Sequence, residues 1–156
     1  MCFTGSAEDV QKLKAGSEDA TNSTITLDKN NCVSKVEAKE GDGFAEIQER
    51  FNSLVADGDV FTVRYGVTGQ GFYSHFDPKT KSAIILRGDV GGFRYRTGNW
   101  LSCNLIGGHS SAPMTLGGLV AHELIGHGRG AGERNSRRIE NQYHTARGQS
   151  ARCLGD

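Results

Sequence analysis

The segment His122-Glu123-Leu124-Ile125-Gly126-His127 places two imidazoles and a carboxylate within one short stretch of chain. Neutral imidazole nitrogens are good ligands for zinc, and a catalytic zinc takes three protein ligands while leaving one position for water. A second carboxylate beside such a site can take the proton from that water. His122 and His127 are therefore candidate metal ligands and Glu123 a candidate general base. The spacing is one residue longer than His-Glu-x-x-His, which sets two histidines a turn apart on a helix. At about 100° per residue, positions five apart on a regular α-helix point roughly 140° apart and cannot grip one ion. A π-bulge, or a helix end that swings back, absorbs the extra residue. Gly126 and Gly128, which flank His127, make such a distortion cheap.

The preceding run Met114-Thr115-Leu116-Gly117-Gly118-Leu119-Val120-Ala121 is apolar, so the helix carrying the motif is expected to be buried. Two imidazoles and a carboxylate buried without partners are costly, and a metal removes that cost. The competing interpretation is a hydrogen-bonded His/Glu cluster, or a structural zinc, that only holds two helices together. Glu123 separates these, because a structural site closes its coordination and has no use for a free carboxylate.

The run His122 to Gly128 resembles the His-Glu-Leu-Leu-Gly-His-Gly zinc motif of the dipeptidyl peptidase III family. That resemblance covers the motif alone: the chain is far shorter, and the family's Glu-Glu-x-x-x-Asp motif is absent. A broader resemblance is to the short zincin-like domains at the C-termini of bacterial Rhs/YD-repeat polymorphic toxins. It rests on the opening Phe3-Thr4-Gly5-Ser6-Ala7-Glu8-Asp9-Val10, on the His-Glu-Leu helix, and on Arg138-Ile139-Glu140-Asn141-Gln142-Tyr143. Those domains usually place a basic residue soon after the Glu-Asn pair, where this chain has His144 and, further on, Arg147.

The resemblance implies a zinc peptidase of the gluzincin type, acting on peptides or proteins. Its third ligand is then expected to be Glu140, on the helix after the motif. His144, Glu133 and His109 are the rival ligands; His144 could instead orient Glu140, and Glu133 is expected to be solvent-exposed. Tyr143 is a candidate stabiliser of the tetrahedral oxyanion. The resemblance further implies a secreted effector or toxin delivered to a target cell, with a cognate immunity or inhibitor protein as partner. A cytoplasmic hydrolase, or one acting on a non-peptide substrate, is the alternative.

The elements that must position these residues read as an α+β domain spanning 1–156. The expected fold is zincin-like, an antiparallel sheet with an active-site helix and a following C-terminal helix. Ser6 is a plausible N-cap for a helix to Lys14, and a Gly/Ser/Asn-rich stretch follows. Ser23–Leu27 and Cys32–Glu37 alternate polar and apolar around Asp28-Lys29-Asn30-Asn31, which predicts a hairpin. Phe44, Ile47, Phe51 and Leu54 recur at helical spacing. Val60–Tyr65, Gly71–Phe76 and Ser82–Arg87 are strands, the last two a hairpin through Asp77-Pro78-Lys79-Thr80-Lys81. Ser82–Arg87 is apolar enough to be covered on both faces and is also a candidate edge for an extended peptide substrate. Gly88 to Ser111 reads as a long irregular loop, a helix starts at about Pro113, and a last helix runs from about Asn135 to Arg147.

Composition narrows the functional classes. Lys+Arg and Asp+Glu number 18 each, so no net charge favours nucleic acid or an anionic membrane. Arginines cluster late (Arg129, Arg134, Arg137, Arg138, Arg147, Arg152), as a solvated helix face or a pocket for a substrate carboxylate. No apolar run approaches the ~18 residues that span a bilayer. The first residues lack the basic and apolar regions of a secretory signal. The 22 glycines suggest many turns and irregular connections. Cys2, Cys32, Cys103 and Cys153 contain no Cys-x-x-Cys pair and permit free thiols or any of three disulfide pairings.

Overall fold

Ser6 caps the first helix as its sequence suggests, its hydroxyl accepting from the Asp9 amide at 3.2 Å. In the computed structural model, which describes residues 1–66, 73–98, 103 and 110–154, this helix (α1, Ala7–Thr21) runs well past Lys14. The glycine and serines that read as a break are interior residues. Ser17 and Thr21 return their hydroxyls to backbone carbonyls one turn back, and a Cβ on Gly16 would stand 2.4 Å from Leu116. Strand β1 (Cys2–Thr4) precedes α1. The hairpin β2 (Ser23–Leu27) and β3 (Val33–Ala38) follows, antiparallel as its alternation predicts. Its turn is held by Asp28, whose carboxylate accepts from the amides of Asn30 and Cys32 at 2.8 and 2.9 Å. Helix α2 (Ala45–Ala56) buries Ile47, Phe51 and Leu54.

Strands β4 (Thr62–Tyr65), β5 (His75–Asp77) and β6 (Ser82–Ile85) join β1 in one sheet of order β1-β4-β6-β5. The expected antiparallel sheet is corrected here. β1 with β4 and β4 with β6 are parallel, and only the β5–β6 hairpin is antiparallel. Strands joined by long excursions are free to re-enter in the same direction, and α1, the β2–β3 hairpin and α2 all lie between β1 and β4. The expected edge also moves. β6, all four residues buried, is interior as its apolar run implies, and β5 and β1 are the two terminal strands.

Part of the supposed loop after Gly88 is ordered. A 3-10 turn (Arg87–Asp89) leads to β7 (Arg94–Thr97), which pairs antiparallel with β8 (Ser110–Pro113). Pro113 therefore ends a strand instead of starting a helix. The helix begins two residues later with Thr115 as N-cap, its hydroxyl accepting from the Gly118 amide at 3.0 Å. Helix α3 (Leu116–Leu119) runs straight into a π-helical segment, Val120–Gly126, and then a 3-10 turn, His127–Arg129. Helix α4 (Glu133–Ala146) packs against it. One core joins Phe3, Leu13, Phe51, Val63, Leu124 and Ile139.

The cysteines form two bridges, Cys2–Cys32 and Cys103–Cys153. The first ties β1 to the turn of the β2–β3 hairpin; the second ties the chain's last described residues to the segment after β7.

Candidate metal centre

The extra residue between His122 and His127 is absorbed by π-helix. The His127 amide donates to the His122 carbonyl, an i→i+5 bond, and the two rings lie 5.0 Å apart edge to face. Residues five apart stack on one side under that bonding pattern. Gly126 serves this geometry through packing, since its φ and ψ (−71°, −74°) are ordinary right-handed values. A Cβ there would come within 2.8 Å of the Ser136 Cα, so the glycine lets α4 lie directly on the π-helical turn.

Each histidine is oriented by its Nδ1. His127 Nδ1 lies 2.8 Å from the Ala131 carbonyl, which can only accept, so Nδ1 carries a proton and Nε2 is turned toward the site. His122 Nδ1 lies 2.7 Å from Glu140 Oε2, with the same consequence. Both Nε2 atoms face a single oxygen. Glu133 Oε2 is 3.4 Å from His122 Nε2 and 3.3 Å from His127 Nε2, while Arg137 Nε holds Oε1 at 2.7 Å. A carboxylate oxygen this close to two imidazole nitrogens needs a proton or a cation between them. Zinc–ligand bonds of about 2.0–2.1 Å in a tetrahedron put ligand atoms roughly 3.3–3.4 Å apart, which is the separation seen.

Glu123 is the third acidic group here. One ligand atom each from His122, Glu123 and His127 lies within 4.8 Å of the others, and this group could hold a metal ion. Burial pushes the Glu123 carboxyl up to about 8, with Glu133 and Glu140 adding to the effect and His122 opposing it. A buried carboxyl without a cation thus keeps its proton at neutral pH.

Behind the histidines lies a buried support. Glu140, fully buried, bonds His122 through Oε2 and faces His144 Nε2 at 3.3 Å through Oε1. Arg152 Nη1 donates to the same Oε2 at 3.0 Å. Burial would raise the Glu140 carboxyl, but these bonds outweigh it and bring it down to about 2. His122 is likewise buried against its charged form, yet the Glu140 bond and the surrounding carboxylates raise it above the ordinary histidine value.

Glu140, the expected third ligand, thus stands at the far nitrogen of the His122 ring, and Glu133 meets the near ones. Glu133 is half-exposed, as expected, but turned toward the site. His144 touches Glu140 and does not reach the Nε2 atoms' side. Tyr143 turns away from the cleft: its hydroxyl donates to Asp19 at 2.5 Å and meets Thr115 at 2.9 Å, and burial raises its pKa. His109 lies outside the described residues. The late arginines largely make intramolecular pairs, Arg129 with Asp57, Arg138 with Glu46 and Arg147 with Asp19.

Sequence reading missed the role of Arg152 and of the Ala131 carbonyl, since neither is signalled by local spacing. Glu133 had one usable signal, its place in the first turn of α4 immediately after the motif. A cleft of about 380 Å³ opens on the site, lined by His122, Glu123 and Glu133 together with the apolar Phe93, Met114 and Leu119. Among the described residues no helix is long and apolar enough to cross a membrane. Compared with known proteins, the chain matches no family description, no curated protein and no solved structure.

Proposed function

We propose that the protein is a zinc-dependent peptidase with a zincin-like arrangement, in which His122, His127 and Glu133 hold the metal and Glu123 is the general base. The observation that carries this reading is the convergence of the two histidine Nε2 atoms on one Glu133 oxygen at 3.3 and 3.4 Å. Glu133 replaces Glu140 as third ligand because one carboxylate bonded to His122 Nδ1 cannot also reach Nε2 on the opposite side of the ring. Zinc, when bound, supplies Lewis acidity toward a carbonyl and acidifies water.

The chain's own residues supply the rest. Glu123 accepts a proton from the attacking water at its carboxylate and passes it to the leaving amine. Glu140 keeps the His122 proton on Nδ1, and the Ala131 carbonyl does the same for His127. The apolar wall of Phe93, Met114 and Leu119 restricts water around the reacting bond. β5, the terminal strand on the β6 side of the sheet, contacts the π-helical segment and offers an edge to which an extended peptide could add. An exported effector acting in a target cell, countered by an inhibitor protein, belongs to the same reading. The two disulfides support passage through an oxidising compartment.

The test is to measure bound zinc and cleavage of an unfolded protein for wild type and Glu123→Ala. Zinc retained with cleavage abolished supports a peptidase. Full zinc loading without cleavage of any substrate, in either protein, would point to a structural site. Protein purified without chelator and found free of zinc would remove the metal assignment.

A further inference from the structure

The support behind His122 is completed from the far end of the chain. Asn141, next to Glu140 on α4, clasps the Arg152 backbone with both ends of its side chain: Nδ2 donates to the Arg152 carbonyl at 2.7 Å and Oδ1 accepts from the Arg152 amide at 2.6 Å. That clasp aims the Arg152 guanidinium at Glu140 Oε2 (3.0 Å) and over the Phe93 ring (5.5 Å). The neighbouring residue, Cys153, donates its amide to the Arg96 carbonyl at 2.8 Å and is bonded to Cys103 across 50 residues of sequence. Ser150 is held as well, its carbonyl accepting from the Tyr95 hydroxyl at 3.2 Å. The covalent bond thus sits one residue from the arginine that holds the histidine's partner.

We propose that the Cys103–Cys153 disulfide sets the affinity of the metal centre: it docks the C-terminal segment so that Arg152 positions Glu140 against His122, and its reduction weakens metal binding. This rests on the metal reading given above. Arg152 is a positioning residue, acting through Glu140 on the ring of His122. Glu140 takes both the His122 Nδ1–H and the guanidinium on one oxygen, so loss of the guanidinium leaves a fully buried carboxylate free to shift toward His144. Groups that orient a metal-bound histidine typically change metal affinity by roughly 10–100-fold.

The redox step balances with a dithiol reductant. One thiolate of the reductant attacks the Cys103 sulfur, the more accessible of the two, and the S–S bond breaks. Cys153 leaves as a thiolate and takes a proton. The reductant's second thiol then displaces Cys103, giving two protein thiols and one oxidised reductant. A protein folded in an oxidising compartment and carried into a reducing one would pass through this change.

The experiment measures zinc affinity by competition with a chromophoric chelator, on the full chain. Compared are oxidised wild type, Cys103→Ser/Cys153→Ser, Arg152→Met, Arg152→Lys, and Cys2→Ser/Cys32→Ser as the control for loss of a bridge elsewhere. Circular dichroism confirms that each is folded at the temperature used. Expected are about tenfold or greater losses of affinity for the Cys103/Cys153 variant and for Arg152→Met, substantial rescue in Arg152→Lys, and near wild-type affinity in the control. Equal affinity in wild type, the Cys103/Cys153 variant and Arg152→Met overturns this inference and leaves the metal centre standing. Equal loss in the Cys2/Cys32 control overturns it too, since the effect would be general destabilisation. No zinc in wild type overturns both readings.

Discussion

Glu123 keeps its proton to about pH 8 in the metal-free protein because burial disfavours the carboxylate. A cation at the neighbouring Nε2 atoms would favour the carboxylate, so under the proposed mechanism the residue serves as a base once the site is filled. Glu123→Gln keeps the shape and removes the base. The expected outcome is unchanged zinc content with hydrolysis reduced about 10²- to 10⁴-fold, read by metal analysis and a peptide-cleavage assay on the same sample. The two carboxylates on α4 separate in the same assay. Glu133→Ala is expected to abolish stoichiometric zinc, whereas Glu140→Gln should weaken it roughly 10–100-fold. If Glu140→Gln alone lost the metal while Glu133→Ala kept it, the ligand assignment would be reversed. The histidines and Glu123 were legible as a group able to hold a metal ion because they lie within six consecutive residues. The choice between Glu133 and Glu140 was not, because both lie on one later helix and only its placement decides which face of His122 each meets.

At the level of elements, the π-helical turn is the device that makes a five-residue spacing workable. Its i→i+5 bond joins the two histidines themselves. The glycine beside His127 permits it for a reason the sequence does not show, the approach of Ser136 on α4 to 2.8 Å of where a Cβ would stand. Gly126→Ala must therefore push α4 away or strain the turn. It is expected to destabilise the protein by about 1–3 kcal/mol, read as a lower midpoint in chemical denaturation, and to weaken zinc binding as Glu133 and Glu140 move with the helix. Wild-type stability and affinity in this variant would show that the packing is softer than the contact distances require. The same logic explains the early helix, where Gly16 and Ser17 read as a break but face Leu116 and the helix's own carbonyls. Pro113 suited a helix start, yet β7 captures it as a strand end.

For the whole molecule, two buried carboxyls pull the pH dependence in opposite directions. Glu123, raised from its ordinary 4.5 to about 8, contributes stability that is full below about 4.5 and is lost as pH rises to about 8, because the unfolded chain releases its proton first. Glu140, lowered to about 2, contributes stability that is present above about 4.5 and lost as pH falls toward 2. The metal-free protein is therefore expected to be most stable near pH 5 and to lose on the order of a few kcal/mol toward pH 8, measured by denaturant titration across that range. Zinc should flatten the alkaline decline by lowering the Glu123 pKa. It should also add RT ln(1 + [Zn]/Kd) to the unfolding free energy, about 2.7 kcal/mol at a hundredfold excess over Kd, and so raise the unfolding midpoint. A midpoint that ignores zinc at every pH would contradict the centre.

What the chain alone determined is what short-range physics controls. The alternation of Ser23–Leu27 set a hairpin, the spacing of Ile47, Phe51 and Leu54 set a helix face, and the odd interval from His122 to His127 called for a distorted helix, which the structure makes a π-helical turn. Strand direction, the sheet edge, the disulfide partners and the identity of the carboxylate facing both Nε2 atoms came only with the tertiary structure. Each depends on where residues far apart in sequence come to lie. Arg152 reaches Glu140 because Cys153 and Asn141 hold it there, and no local spacing encodes that.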